Sequence, residues 1–239
     1  MIIFIKKQQI FWLAAGLAAI ALVITGIRTA PVRPVFSALS DTAEPLIVLD
    51  AGHGGEDGGA VSGDGVPESW INLAIVQRME GVLTFLGHDT LLTRTGEEAI
   101  YSPEARTLRE KKVSDLKNRV ALINETEDAV MISVHQNSMP THPGVHGAQV
   151  FFNAVEPAGQ MAQAVQTALN QTVNPGNEKT TKAMDSSVYL MKKITHPGIL
   201  VECGFLSHAE EARLLQQEAY QTKLALSIAA SYLQYTYER

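Results

Sequence analysis

The chain has one cysteine, Cys203, among its 239 residues, so it closes no internal disulfide. It has no G-x-x-x-x-G-K-[ST] run to cradle nucleotide phosphates and no G-x-G-x-x-G turn for a dinucleotide. The compact H-E-x-x-H pattern of helical zinc sites is also missing. No low-complexity tract and no solenoid-length repeat occurs. Basic residues are in deficit, at 19 against 25 acidic, and they are spread unevenly. Residues 1–44 carry Lys6, Lys7, Arg28 and Arg33 against Asp41 and Glu44. The remainder holds 15 basic and 23 acidic residues, a net charge of −8. An acidic domain repels a phosphate backbone, and no aromatic–basic interleaving is present, so nucleic acid is not an expected partner. The basic stretch Arg106, Arg109, Lys111, Lys112, Lys117 and Arg119 is broken by Glu110 and Asp115. It reads as a solvated helix face.

Long apolar runs are confined to one place. Residues 10–27, from Ile10 to Ile27, form 18 residues without a charge, long enough to cross a bilayer as a helix. A tail of residues 1–9 with Lys6 and Lys7 precedes it. The run exceeds a usual signal-peptide core of about 7–15 residues, and no A-x-A site follows. We expect an uncleaved, single-pass anchor in the cytoplasmic membrane, N-terminus inside, with the bulk of the chain on the extracytoplasmic side. Cleavage would instead release a secreted protein. Residues 28–44, with Pro31 and Pro34 inside and Pro45 just beyond, read as a linker. Residues 45–239 are then one domain, ample for a single core.

Within that domain two units share one design. Leu46-Ile47-Val48-Leu49-Asp50 is an apolar run that leads into Gly52-His53-Gly54-Gly55. Ala129-Val130-Met131-Ile132-Ser133-Val134 leads into His135. Each reads as a buried strand with a His at its C-terminal end. Ile71, Ala74, Ile75, Met79, Val82, Leu83 and Leu86 recur at helical spacing after Pro67, and Gly87 ends the pattern. Further strands are expected over 88–93, 147–152, 187–191 and 199–202, and helices over 115–124, 161–169, 209–217 and 218–235. Residues 171–185 read as polar loop. Strands alternate with helices, so the fold class is α/β: a single domain with a mostly parallel or mixed central sheet and helices on both faces.

Parallel strands of one sheet bring their C-terminal ends together, and ligands bind there. His53, His135 and Glu202 each stand at such an end, and Glu68 opens a helix just after the first loop. Two His and one carboxylate with an open fourth position make a catalytic zinc site, and a further unligated Glu would serve as general base. The residues alone leave open which Glu does which. Glu56, Asp57 and Asp64 on the same loop are other possible carboxylates. His142 and His146 are spaced i, i+4, but Pro140, Pro143, Gly144 and Gly147 make their stretch a loop. Cys203 follows Glu202, and strand alternation turns it to the opposite face, as a small buried hydrophobe. Two other classes stand beside the metal reading: a metal-independent Cys–His hydrolase using Cys203, and a non-catalytic binding protein of the same fold.

Asp50-x-Gly52-His53-Gly54-Gly55-x-Asp57-x-Gly59, Glu68, Ser133-x-His135-x-Asn137 and Val201-Glu202-x-Gly204-Phe205-Leu206-Ser207 occur in this order. Together they resemble the zinc-dependent N-acetylmuramoyl-L-alanine amidases, the Amidase_3 family, over nearly all of residues 45–239. Thr93-Arg94 and Leu116-x-x-Arg119 are smaller matches. Ser138 and His208 stand where that family often has Ala and Asn. The resemblance implies that His53, Glu68 and His135 bind Zn2+ and that Glu202 is the catalytic carboxylate. It implies peptidoglycan as substrate, cut between N-acetylmuramic acid and the L-alanine of the stem peptide. A single domain behind an anchor looks most like the spore-cortex amidases, with any protein activator unspecified. Division amidases of the family carry a helical insertion that plugs the site. Here only the 33 residues 153–185 separate the relevant strands, so no built-in plug is expected.

Overall fold

A computed structural model describes residues 44–184 and 187–238. The expected anchor at 10–27 and all but the last residue of the linker lie outside the described residues. No described helix is long and apolar enough to cross a membrane.

The elements follow in the order β1 (Leu46–Ala51), α1 (Glu68–Phe85), β2 (Thr90–Leu92), α2 (Leu108–Glu125), β3 (Ala129–Asn137), β4 (Gln149–Phe152), α3 (Ala158–Thr172), β5 (Lys182–Ala183), α4 (Tyr189–Lys193), β6 (Gly198–Phe205), α5 (Ala209–Leu215) and α6 (Glu218–Tyr237). The six strands form one sheet in the order β2-β1-β3-β6-β4-β5. β2, β1, β3 and β6 run parallel, while β4 is antiparallel to β6 and parallel to β5, so the sheet is mixed. The three strands read as carrying the chemistry are therefore neighbours. Ala51 pairs with Val134, and His135 pairs with Glu202. Past that pair the β3–β6 register shifts, a bulge of the kind that re-aims side chains beside active sites.

Strand alternation separates two apolar layers. Ile47, Leu49, Ile132, Val134, Val201 and Cys203 pack with Ile75 and Met79 of α1, Val165 and Leu169 of α3, and Leu224 and Ile228 of α6. Val48, Met131 and Leu200 pack on the other face with Ile123 of α2 and Leu190, Met191 and Ile194 in and after α4. The sheet is thus covered on both faces. Helix α3 is part of this core, not a plug: Met161, Ala162, Val165 and Leu169 are all buried in it.

Several boundaries differ from the sequence reading. Residues 187–191, expected as a strand, contribute instead to the short helix α4. Leu190 and Met191 are buried on the α2 side, where a one-turn helix presents both to the same apolar layer. Helix α2 begins at Leu108, seven residues before the expected start, because Thr107 and Glu110 form a reciprocal capping box. The two-residue strand β5 lies within a segment read as loop. Arg119 does not belong to a solvated face; it is 1% exposed.

Candidate metal centre

His53 sits on the glycine loop that leaves β1, with φ of +62°, a left-handed conformation unusual for a side-chain-bearing residue. Such strain clusters at functional sites, where surrounding contacts hold it. Those contacts are present. Arg119 donates to the carbonyl of His53 at 2.6 Å and to that of Ala51 at 2.7 Å. Arg94 donates to Ala51 and Gly52 carbonyls at 2.9 and 3.2 Å. Asn72 of α1 reaches the Gly52 carbonyl at 3.1 Å. Two buried guanidiniums and an amide thus fix the loop.

The Arg119 guanidinium is held in turn by acids on different elements. It pairs with Asp50 of β1 at 2.6 Å and with Asp115, one helical turn back, at 2.8 Å. Thr93 and Ser133 also donate to the Asp50 carboxylate, at 2.7 and 2.6 Å. Burial alone would raise the Asp50 pKa, but the Arg119 charge and these donors outweigh it and hold the group at about 2.

His53, Glu68 and His135 converge: one ligand atom from each lies within 4.8 Å of the others. Glu68 Oε1 is 3.3 Å from His53 Nε2 and 2.9 Å from His135 Nδ1. Its other oxygen accepts from the Ala60 backbone N–H at 2.8 Å, which fixes the rotamer. Gln136 N–H and the Asn72 amide also donate to Oε1, at 3.1 and 3.3 Å. Tetrahedral ligation at about 2.0–2.1 Å places donor atoms roughly 3.4 Å apart, close to these separations. The donor set and its spacing fit a metal ion. The other ring nitrogen of His53, Nδ1, lies 3.1 Å from Asp57, the kind of outer partner that orients metal-binding imidazoles. Asp57 also pairs with Lys112 at 3.0 Å.

Charge in the site is strongly biased. Burial opposes protonation of His53, but the hydrogen bonds to Asp57 and Glu68 outweigh it and lift its pKa to about 9. Glu68 is buried, which by itself would raise its pKa, yet the two imidazoles hold it well below the usual carboxylate range. Glu202 behaves oppositely. Burial pushes its pKa up to about 7, with the imidazoles only partly offsetting it. Its Oε2 is buried and accepts no hydrogen bond from a described residue. A carboxyl held this way costs stability. It is also tuned to exchange a proton near neutral pH, as a general base requires.

The geometry gathers His53, Glu68 and His135 into one three-donor group and sets Glu202 beside His135 across the β3–β6 pair. Glu56, Asp57 and Asp64 are not in the three-donor group; Glu56 pairs with Lys111, and Asp64 accepts from Ser62 and Gln216. His142 and His146 lie on the loop between β3 and β4, bonded locally to Thr141 and Gly144. Cys203 is fully buried, and burial pushes its thiol pKa up, so no thiolate is available for a Cys–His hydrolase. Sequence reasoning missed the supporting residues Asn72, Gln136 and Glu211. Glu211 of α5 accepts from the backbone N–H groups of Phe205 and Gly147, at 2.7 and 2.9 Å, and so ties α5 to the end of β6. No local pattern marks these side chains, because each also bonds across the fold: Asn72 to Gly52, Gln136 to Asn72 and Glu211 to Gly147, which lie 20, 64 and 64 residues away.

A family model described as N-acetylmuramoyl-L-alanine amidase matches residues 47–233. A germination-specific N-acetylmuramoyl-L-alanine amidase of Bacillus subtilis (strain 168) is 32% identical over 194 residues, 81% of each chain. The N-acetylmuramoyl-L-alanine amidase AmiA of Escherichia coli (strain K12) is 27% identical over 233 residues, covering 80% of this chain and 75% of that one. Among solved structures, the CwlD amidase from Clostridioides difficile, in complex with the GerS lipoprotein, superimposes with a TM-score of 0.78 at 33% identity. That similarity covers 82% of this chain and 100% of the other.

Proposed function

The chain belongs to the Amidase_3 family of N-acetylmuramoyl-L-alanine amidases, and from that premise we propose that His53, Glu68 and His135 hold Zn2+ while Glu202 acts as general base in peptidoglycan hydrolysis. The bond cut is the amide between the lactyl group of N-acetylmuramic acid and the stem peptide's L-alanine. When bound, zinc supplies Lewis-acid polarisation of the carbonyl and a more acidic water. The chain's own residues do the rest. Glu68 and the two imidazoles provide the donors, with the rotamer of Glu68 set by Ala60 N–H. Glu202 takes the water proton and passes it to the departing amine of L-alanine. The carrying observation is the three-donor cluster, together with a buried Glu202 oxygen that no described residue satisfies. A protein that only bound the wall would gain nothing from that carboxylate.

The similarity to a germination-specific amidase supports a role in the spore cortex. The lipoprotein bound to the CwlD amidase supports a protein partner for this chain as well. The apolar run at 10–27 supports a membrane anchor with the catalytic domain, placed at 45–239, outside the cytoplasm.

Metal content tests the assignment of the two glutamates. Glu68→Ala removes one of three protein donors and should purify with substoichiometric zinc. Glu202→Ala should keep near-stoichiometric zinc while turnover falls by about 10²–10⁴-fold. The reverse pattern would mean that the roles are exchanged.

A further inference from the structure

We propose that the groove beside the metal centre binds the stem peptide of the substrate and that Arg213 recognises a carboxylate of that peptide; this rests on the amidase reading above. The groove encloses about 560 Å³, within the range of roughly 300–1,000 Å³ typical of ligand sites. Its floor continues the catalytic strands. Ser138 follows β3, and Leu206 and Ser207 follow β6. The two segments are tied together, Leu206 N–H donating to the Asn137 carbonyl and Met139 N–H to Ser207 Oγ, each at 2.8 Å. One wall is the loop carrying Val61 and Asp64, and the other is α5 with Arg213 and Gln216. Ser138 stands three residues past His135 and Leu206 four past Glu202, so the groove lies at the C-terminal ends of the two strands that carry these residues.

Among the described residues, Arg213 is the sole cation lining the groove, and it forms no ion pair or hydrogen bond. Asp64, across from it, is already engaged by Ser62 Oγ at 2.5 Å and by Gln216 at 3.1 Å. An unpaired guanidinium in an acidic domain leaves five donors in a planar fork for an incoming carboxylate. The helix that carries it is held against the catalytic strand. Glu211 bonds Phe205 N–H, and His208 caps the helix by accepting from Glu211 N–H at 3.2 Å. Arg213 is thus presented from a fixed base. A stem peptide with a free C-terminus ends in an α-carboxylate, and amidation of that group removes its charge.

The test uses the zinc-loaded full-length chain and two matched muropeptides that differ only in whether that carboxylate is free or amidated. Arg213→Gln should raise KM for the free acid by about 10-fold with kcat within twofold, and should leave the amidated substrate unchanged. Arg213→Lys should recover part of the loss. Equal effects on both muropeptides, or no effect on either, would overturn the assignment while leaving the amidase reading intact. A wild-type chain with full zinc that cuts neither muropeptide would overturn the amidase reading and this inference with it.

Discussion

Gly52 shows how little room the metal centre leaves at the scale of single residues. A Cβ on Gly52 would lie 2.2 Å from Nε2 of His135, so the imidazole must shift to make room. Gly52→Ala should therefore keep the fold, with near-native circular dichroism, yet weaken zinc affinity by about 10-fold or more, on the scale of disturbing a ligand's support. Isothermal titration with zinc checks this, and unchanged affinity would remove Gly52 from the account. That Gly52 lies on the loop leaving β1 was legible in the run Gly52-His53-Gly54-Gly55. What approaches was not, because it depends on the parallel register that sets Ala51 beside Val134. Arg119 is the complementary failure. It ends a run of basic residues broken by Glu110 and Asp115, so it read as solvated, yet it is buried against Asp50, 69 residues away. A guanidinium's destination is set by the acid it meets after folding, and helical charge spacing carries no information about that.

Among the elements, the buried network from Arg119 joins α2 to β1, β3 and the residue after β2. Asp50 has a folded-state pKa of about 2 against an ordinary 3.8. The folded state thus binds this proton less readily than the unfolded chain. The group contributes stability that is complete above about pH 4 and lost as pH falls through about 2. The depressed pKa corresponds to on the order of 2 kcal/mol. Asp50→Asn should flatten the dependence of unfolding free energy on pH between about 4 and 2. Denaturant unfolding across that window checks it, and parallel curves for wild type and variant would exclude the network as an acid-sensitive clamp. Strands β1, β3 and β6 were legible because buried parallel strands are written as continuous apolar runs. The run Val188-Tyr189-Leu190-Met191 has the same local character but folds into α4, since a short apolar stretch does not distinguish a strand from one turn of helix. The capping box at Thr107 was a readable signal for the start of α2, and apolar periodicity alone set that start too late.

For the whole molecule, sequence and fold divide the information. Four motifs scattered over some 150 residues are consistent with one another only if three strands lie parallel and adjacent, as β1, β3 and β6 do. The membrane proposal belongs to the chain as a whole: N-terminal sequencing of protein from the membrane fraction should return the intact segment, and a mature start within residues 29–43 in the soluble fraction would replace the anchor with a cleaved leader. The central claim, amide cleavage that depends on the His53–Glu68–His135 metal centre, is tested most directly by mass spectrometry of peptidoglycan treated with the full-length chain. Glycan strands stripped of peptide are expected, together with free stem peptides bearing N-terminal L-alanine. These products should disappear with chelator and return with added zinc. Cleavage within the glycan or within the peptide, or amide cleavage that persists after the metal is removed, would contradict it.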